Sequence, residues 1–290
     1  MFVATNISPT RIWLQKHSLL AYFILAFGIS WLIELPVAFS RSGIGWFPYD
    51  LPPILTSTSP GVPLGPAGAA FILTALLEGK PGVIHLLKRY IQWRVSLKWY
   101  LLILLGSPLL LTLTISFFYA PHLQNLPIFL WSYLVHLLIA FMINGEEGGW
   151  RGFALPRLQN QSGPLQGSII LGLLWGLWHV PLMLIPAQSP LNHVITLSLL
   201  LFFFLQIMAK SISYTWLFNN AGGSLLIVTL FHAALNGYQV ELLFGPVDRV
   251  DYQLALAICF GVTALLIITF TRGMLSYKPD ELEKKAGGTS

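Results

Sequence analysis

The chain has 290 residues, of which 55% are hydrophobic and only 9% are charged, and its mean hydropathy is +0.71. Soluble domains carry about 25% charged residues, so this composition excludes a soluble globular domain and predicts an integral membrane protein. The net charge of +5 does not indicate a nucleic-acid partner, because the basic loops of membrane proteins face the cytoplasm. The chain has one cysteine, Cys259, so no internal disulfide can form.

Eight apolar stretches have the length of a transmembrane helix, which needs about 20 mostly apolar residues. They are residues 18–39, 59–78, 99–119, 127–147, 165–186, 193–217, 223–244 and 252–271. The first is too long for the apolar core of a signal peptide, and we expect it to be retained. The predicted fold class is therefore an all-α, polytopic membrane bundle of about eight transmembrane helices. We expect a single membrane domain over residues 1–276, followed by a polar tail, 277–290.

The basic residues indicate how this bundle is oriented. With the N-terminus inside, every Lys and Arg except Arg41 and Arg249 falls on the cytoplasmic side, Lys210 among them. We therefore expect the N- and C-termini, and with them the tail, in the cytoplasm. The basic, partly amphipathic connector of residues 79–98 is expected at the inner membrane surface. No organellar targeting peptide is evident, which favours a prokaryotic plasma (inner) membrane.

Two adjacent carboxylates and an arginine follow the fourth apolar stretch, in the sequence NGEEGGWRGF. On a helix Glu147 and Arg151 share a face, and an ion pair between them offsets part of the cost of burial. Glu146 lies about 100° around the helix from its neighbour, so Arg151 cannot readily serve both, and Glu146 is predicted as the working general base. The helix could continue towards Gln159, and the nearby glycines allow a bend or a close helix approach. The alternative is an interfacial loop with solvated charges.

Two more polar pairs lie inside predicted membrane helices, each with a spacing of four residues. Trp175 and His179 are in WGLWH, and His232 and Asn236 are in FHAALN. Hydrogen-bond donors from His232 and Asn236, one turn apart, could stabilise a developing oxyanion. Each pair alone is better explained as a polar contact in the core or between helices. Because ionisable groups in a membrane are costly and mark function, three such clusters together favour a functional site.

In this order, the three clusters resemble the motifs of the CPBP family (CAAX protease and bacteriocin-processing, or ABI). These are intramembrane glutamic proteases related to the type II CAAX prenyl endopeptidase. The family motifs are Glu-Glu-x-x-x-Arg, an aromatic residue four positions before His, and His-x-x-x-Asn or Asp. Here they read EEGGWR at 146–151, WGLWH at 175–179 and HAALN at 232–236. The resemblance covers about residues 60–240, the expected protease core, and Trp175 departs from the more common Phe.

The resemblance implies an endopeptidase that hydrolyses a membrane-associated peptide or protein with a glutamate-activated water. It implies that Glu146 activates the water and that His179 helps to hold it. His232 and Asn236 would stabilise the oxyanion, and the predicted ion pair would support the site. The implied partners are membrane lipid and a peptide or protein substrate, with no nucleic acid, and the oligomeric state stays open.

Three alternatives remain at this point. No cofactor is expected, and the H-E-x-x-H motif of zincins is absent, but Glu146, His179 and His232 could hold a zinc ion with an open position. A buried cluster of Glu, His, Arg and Asn could also line a transporter pathway, although no repeat-related halves are evident. Finally, a noncatalytic immunity or scaffold protein could keep the same fold without turnover.

Overall fold

The structure is a computed structural model that describes residues 9–186, 189 and 195–278, and every regular element in these ranges is helical. The helices are α1 (Pro9–Lys16), α2 (Ser18–Phe39), α3 (Pro53–Thr58), α4 (Gly61–Tyr90), α5 (Leu97–Ile115), α6 (Leu126–Ile143), α7 (Leu155–Ser162), α8 (Pro164–Trp178), α9 (Val180–Met183), α10 (Leu197–Asn220), α11 (Leu225–Asn236), α12 (Val240–Phe244) and α13 (Arg249–Thr271). π-Helical segments occur at Leu102–Gly106, within α5, and at Gly148–Ala154, before α7. The predicted all-α class is confirmed.

Within the described ranges, six helices are long and apolar enough to cross a membrane, namely α2, α4, α5, α10, α13 and the segment Leu123–Ile143 that contains α6. At 1.5 Å per residue their lengths exceed roughly 28 Å, which matches the hydrocarbon thickness. Large apolar side chains are exposed on them, including Leu32, Met142 and Phe270. This arrangement, with apolar groups outside, is that of an integral membrane protein.

Two of the predicted spans correspond to shorter helices. Residues 165–186 contain α8, of 15 residues, and residues 223–244 contain α11, of 12 residues. The count of eight crossings therefore stays a prediction, as does the side on which the termini lie. The first residues of the predicted span 193–217 and most of the predicted tail 277–290 lie outside the described residues.

The first half of the predicted surface connector, residues 79–98, is a continuation of α4. The helix kinks at Gly79, where φ is 69° and ψ is −161°, a conformation that suits glycine. Further along, Arg89 donates from Nε to the carbonyl of Gly223 (2.9 Å) and from Nη1 to the carbonyl of Gly152 (3.0 Å). Its guanidinium is thus held by other segments of the protein. A pattern of residues along one helix cannot reveal such partners.

Lys210, which the charge pattern places on the cytoplasmic side, lies near the middle of α10. Its ammonium is 4.9 Å from the centroid of the Phe260 ring on α13, and the face of an aromatic ring attracts a cation. One turn away, Gln206 donates a hydrogen bond to Gln253 of α13. A polar strip therefore joins α10 to α13, and Lys210 is a poor indicator of orientation.

The start of α4 is fixed to α2 by two buried side chains. Glu34, to which the sequence pattern assigns no role, accepts the N–H of Gly61 at Oε1 (3.0 Å), and Ser30 Oγ donates to the Gly61 carbonyl (2.7 Å). A carboxylate here satisfies an orphan N–H and interacts favourably with the helix dipole. Because α4 packs against the π-helical segment Gly148–Ala154, this contact also helps to place the residues that follow Glu147.

We expect Gly65→Ala to destabilise the protein by about 1–3 kcal/mol, the usual cost of overpacking. An added Cβ at Gly65 would lie 1.9 Å from Ser30 Oγ and 2.6 Å from the carbonyl oxygen of Ala26, so α2 and α4 would have to separate. Gly28→Ala, on α2, is the matched control, because a Cβ there meets no atom within 4 Å. Thermal unfolding of both variants in detergent is the measurement, and equal melting temperatures would contradict this close contact.

Candidate active site

Glu146 and Glu147 lie at a break in the helical backbone. α6 ends shortly before Glu146, which lies in a turn, and helical backbone resumes at Glu147. The helix predicted over residues 127–147 is therefore shorter, and it does not continue unbroken towards Gln159. The break gives Glu146 an orientation that no helical periodicity would predict.

Glycines beside the two carboxylates allow α4 to approach closely, as the sequence predicted. A Cβ at Gly148 would lie 2.0 Å from Tyr90 Oη, and a Cβ at Gly149 would lie 2.4 Å from the carbonyl oxygen of Pro66. The hydroxyl of Tyr90 donates to the carbonyl of Gly145 (3.1 Å). The backbone around the carboxylates is thus enclosed by protein, which excludes the interfacial-loop alternative with solvated charges.

The predicted ion pair is confirmed and forms part of a larger buried network. Arg151 Nη1 donates to both carboxylate oxygens of Glu147, each at 3.1 Å, and both side chains are fully buried. Glu147 Oε1 also accepts from His232 Nδ1 (2.8 Å). The guanidinium of Arg151 lies 4.6 Å from the ring centroid of Trp175 and 4.2 Å from that of Tyr214. Both oxygens of Glu147 are therefore engaged by Arg151, and one of them also by His232.

Glu146, the predicted working carboxylate, has a different environment. Its Oε2 accepts hydrogen bonds from the indole N–H groups of Trp150 (2.9 Å) and Trp175 (3.1 Å). Its Oε1 lies 3.7 Å from His232 Nε2, which is beyond direct hydrogen-bonding distance. Arg151 makes no ion pair with it, as predicted from the helix faces. One oxygen of Glu146 is thus held by protein donors, and the other is the oxygen with capacity to accept a proton.

His179, at the end of α8, lies beside Trp175, one of the two residues that donate to Glu146. Its Nδ1 donates to the carbonyl of Trp175 (2.7 Å), which leaves Nε2 as the acceptor of the neutral ring. The imidazole packs edge-to-face against Trp175, Trp178 and Phe203, with ring centroids 4.8–5.7 Å away. Trp175 therefore contacts Glu146 through its side chain and His179 through its backbone, although no hydrogen bond joins Glu146 and His179 directly among the described residues.

Asn236 is the predicted site residue that the structure joins least closely to the others. It is the last residue of α11, one turn beyond His232, and its side chain is exposed. No hydrogen bond of the Asn236 side chain occurs among the contacts of the described residues. The amide is thus free to meet a group that enters the site from outside.

Three aromatic residues border the site without having been predicted as part of it. Trp150 lies four residues after Glu146, a spacing that could have indicated the contact. Tyr214 on α10 and Tyr22 on α2 carried no such signal, because their positions are distant in the chain. Tyr22 stacks on Phe153 with centroids 5.2 Å apart, and its hydroxyl is buried with no protein hydrogen-bond partner in the described part of the chain.

The residues present do not form a recognisable metal centre. Across the ranges that the structure describes, no group of three or more His, Cys, Asp or Glu side chains could hold a metal ion. This includes the set considered for zinc, Glu146, His179 and His232. One oxygen of Glu146 and one nitrogen of His232 are instead engaged by other protein groups.

The fold and the site define this chain as a helical membrane protein with a buried carboxylate–imidazole cluster. Comparison with known proteins shows which family it resembles. Residues 126–238 match the family model of the type II CAAX prenyl endopeptidase, Rce1-like. The CAAX prenyl protease 2 of Methanococcus maripaludis is 33% identical over 104 residues, which are 35% of this chain and 38% of that protein. Over these residues the chain is similar to the Rce1-like type II CAAX prenyl endopeptidase (CPBP) family, a family of peptidases. The expected resemblance is confirmed, and the match spans well under two thirds of the relative's length.

Proposed function

We propose that this protein is an intramembrane endopeptidase that hydrolyses a peptide bond of a membrane-associated peptide or protein. The observation that carries the proposal is the buried cluster in which Glu146 and Glu147 flank His232. A carboxylate with one uncommitted oxygen, beside an imidazole, is the arrangement that general-base activation of water requires. The similarity of residues 126–238 to the CAAX prenyl endopeptidase family supports the reaction class. The substrate, and whether it is prenylated, is a matter for experiment.

In the proposed reaction, Glu146 Oε1 takes a proton from a water molecule and the resulting hydroxide attacks the scissile carbonyl carbon. A C–O bond forms while the π electrons of the carbonyl move onto its oxygen. The oxyanion then re-forms the C=O bond, the C–N bond breaks, and the proton on Glu146 passes to the leaving amine, directly or by way of His179 Nε2. His179 would hold the attacking water through Nε2, because its Nδ1–H is committed to the Trp175 carbonyl. The two side chains would thus share one water and divide the proton transfers between them.

His232 and Asn236 are proposed to donate hydrogen bonds to the oxyanion. Since His232 Nδ1 already donates to Glu147, its Nε2 can donate as well only when the ring is doubly protonated. In that state the charges of Glu146, Glu147, Arg151 and His232 sum to zero, which limits the cost of burying them together. Glu147 would therefore support the site by stabilising the imidazolium, and Arg151 would hold Glu147 in place.

Asn236→Ala is expected to reduce turnover about 10²–10³-fold, the usual cost of losing one oxyanion donor. Because the Asn236 side chain is exposed and makes no hydrogen bond with other described residues, the melting temperature should change little. Gln161→Ala, which removes an exposed amide from α7, is the control and should retain full turnover. Peptidase rates and thermal unfolding are measured on the same preparations; a large loss of stability with unchanged turnover per folded molecule would contradict the assigned role.

The membrane arrangement proposed with this function is one domain over residues 1–276 that crosses eight times, with both termini and the tail 277–290 in the cytoplasm. Its protease core would cover about residues 60–240, in a prokaryotic inner membrane. The charge distribution supports this orientation, and the six long apolar helices support the membrane location. Reporter fusions at each predicted loop test the number of membrane crossings and the side on which each loop lies.

Metal analysis of the purified protein and a chelator test address the zinc alternative.

The direct test of function is cleavage of membrane-anchored peptides by the purified protein in liposomes, with products identified by mass spectrometry. Cleavage separates an enzyme from both a transporter and a noncatalytic immunity or scaffold protein. Solute uptake into the same vesicles without cleavage would favour the transporter. To find the natural substrate, the termini of membrane proteins can be compared between cells with the intact protein and cells with Glu146→Gln.

A further inference from the structure

Two indole groups hold one oxygen of Glu146. Trp150 Nε1 and Trp175 Nε1 both donate to Oε2, at 2.9 and 3.1 Å, and both rings are buried, with 0% and 4% exposure. One donor comes from the π-helical segment that follows the carboxylate, and the other comes from α8. Since Glu146 itself lies in a turn, these two contacts supply the orientation that a helical backbone would otherwise impose.

The consequence is a functional difference between the two oxygens of one carboxylate. Charge-assisted hydrogen bonds from two donors occupy Oε2. Oε1 accepts no hydrogen bond from the residues that the structure describes, and His232 Nε2 lies 3.7 Å from it. We infer that Trp150 and Trp175 are positioning residues that fix the Glu146 carboxylate so that Oε1 receives the proton of the attacking water. This inference rests on the proposed function, because it assigns the atom that acts as the base.

Trp175 has a second positioning contact in the same site. Its backbone carbonyl accepts from His179 Nδ1 at 2.7 Å, so one residue orients both members of the proposed water-holding pair. Its ring is itself held, because the Arg151 guanidinium lies 4.6 Å from the ring centroid. In the family motif that this sequence resembles, Phe is the more common residue at this position. A Phe ring would fill much of the same volume but has no N–H to donate. Trp175 therefore adds a donor that Phe could not supply.

The test uses three tryptophan-to-phenylalanine variants in the liposome cleavage assay. Trp175→Phe and Trp150→Phe each remove one donor to Glu146. Trp178→Phe is the matched control, because its ring also contacts the site, 5.6 Å from that of Trp150, while its buried Nε1 has no hydrogen-bond partner among the described residues. The values of kcat and KM are determined separately, since a positioning role should change kcat alone.

We expect each of the first two variants to lower kcat about 10- to 100-fold with KM unchanged, because a small misplacement of a reacting group costs this much. The double variant should lose more than either single one, and Trp178→Phe should keep kcat within about threefold of the original. Equal losses in all three single variants would assign the effect to packing and overturn the inference, as would unchanged kcat in Trp175→Phe. If Trp175→Phe does not fold, Trp150→Phe decides alone.

Glu146→Gln in the same assay separates this inference from the proposed function. Absence of cleavage by the unmodified protein would remove the proposed function itself, and an active Glu146→Gln protein would remove the role of Glu146 as the base, on which this inference rests. An inactive one, combined with Trp150→Phe and Trp175→Phe variants that match Trp178→Phe, would overturn the positioning role alone. The combination of an inactive Glu146→Gln protein and selective loss of kcat in the two indole variants supports both.

Discussion

Glu146→Gln is expected to lower peptide-bond hydrolysis by about 10²–10⁴-fold while the protein remains folded. An amide cannot take the proton from water, and general-base catalysis contributes about 10²–10⁴-fold. Glutamine has nearly the same shape, and its carbonyl oxygen can still accept from the Trp150 and Trp175 indoles that now bind Oε2. The loss should therefore appear in kcat and not in the melting temperature. The measurement is the rate of cleavage by purified protein in liposomes.

The matched control for this variant is Glu241→Gln. Glu241 is an exposed carboxylate that pairs with Arg249 at 3.0 Å. It is not one of the residues assigned to the candidate active site, and its replacement should leave cleavage unchanged. Size-exclusion chromatography of both variants verifies that they are folded. Full turnover by purified Glu146→Gln protein would exclude the proposed mechanism, whatever the effect on cells.

Arg151→Met is expected to destabilise the protein by about 3–5 kcal/mol, the largest stability effect that we predict for a single side chain. Breaking a buried ion pair by removing one partner leaves an uncompensated charge. Here the carboxylate of Glu147 would lose its bidentate contact with Arg151 and retain only His232. The packing of the guanidinium against Trp175 would be lost as well. Thermal or denaturant unfolding in detergent measures the change.

Two comparisons separate charge from packing in this prediction. The double variant Glu147→Gln with Arg151→Met removes both charges and should recover part of the lost stability. Arg249→Met breaks the exposed pair with Glu241, and exposed pairs contribute at most about 1 kcal/mol. If Arg151→Met unfolds at the same temperature as the original protein, the buried pair has no stabilising role. If the double variant recovers nothing, packing and not charge explains the loss.

The parts of the site predicted best are those that depend on residues close together in the chain. The pairing of Arg151 with Glu147 and not with Glu146 follows from a spacing of four residues against five. The structure contains that pair, at 3.1 Å. Likewise, the glycines beside the carboxylates indicated a close approach of helices, and the backbone of α4 does lie against them. Local geometry decides such contacts, so periodicity suffices to predict them.

The parts that sequence reasoning missed depend on groups that are distant in the chain. The Arg89 contacts with Gly152 and Gly223, and the Glu34 contact with Gly61, required the packing of α4. None of these partners can be read from an apolar pattern. The surroundings of Lys210 also required the packing, since an aromatic ring on α13 accommodates its charge near the middle of α10. In each case a polar group has its partner on another helix.

By itself, the sequence determined that this is a helical membrane protein, which three motifs carry the polar site, and which carboxylate is paired. Hydrophobicity and spacing are properties of neighbouring residues, so they can be read from the sequence without knowledge of the fold. The tertiary structure alone decided that the helix breaks at Glu146 and that His232 meets Glu147 across 85 positions in the chain. It also decided that Trp175 reaches Glu146 across 29 positions. Such contacts exist only once helices have packed, because only then do their facing side chains come within hydrogen-bonding distance.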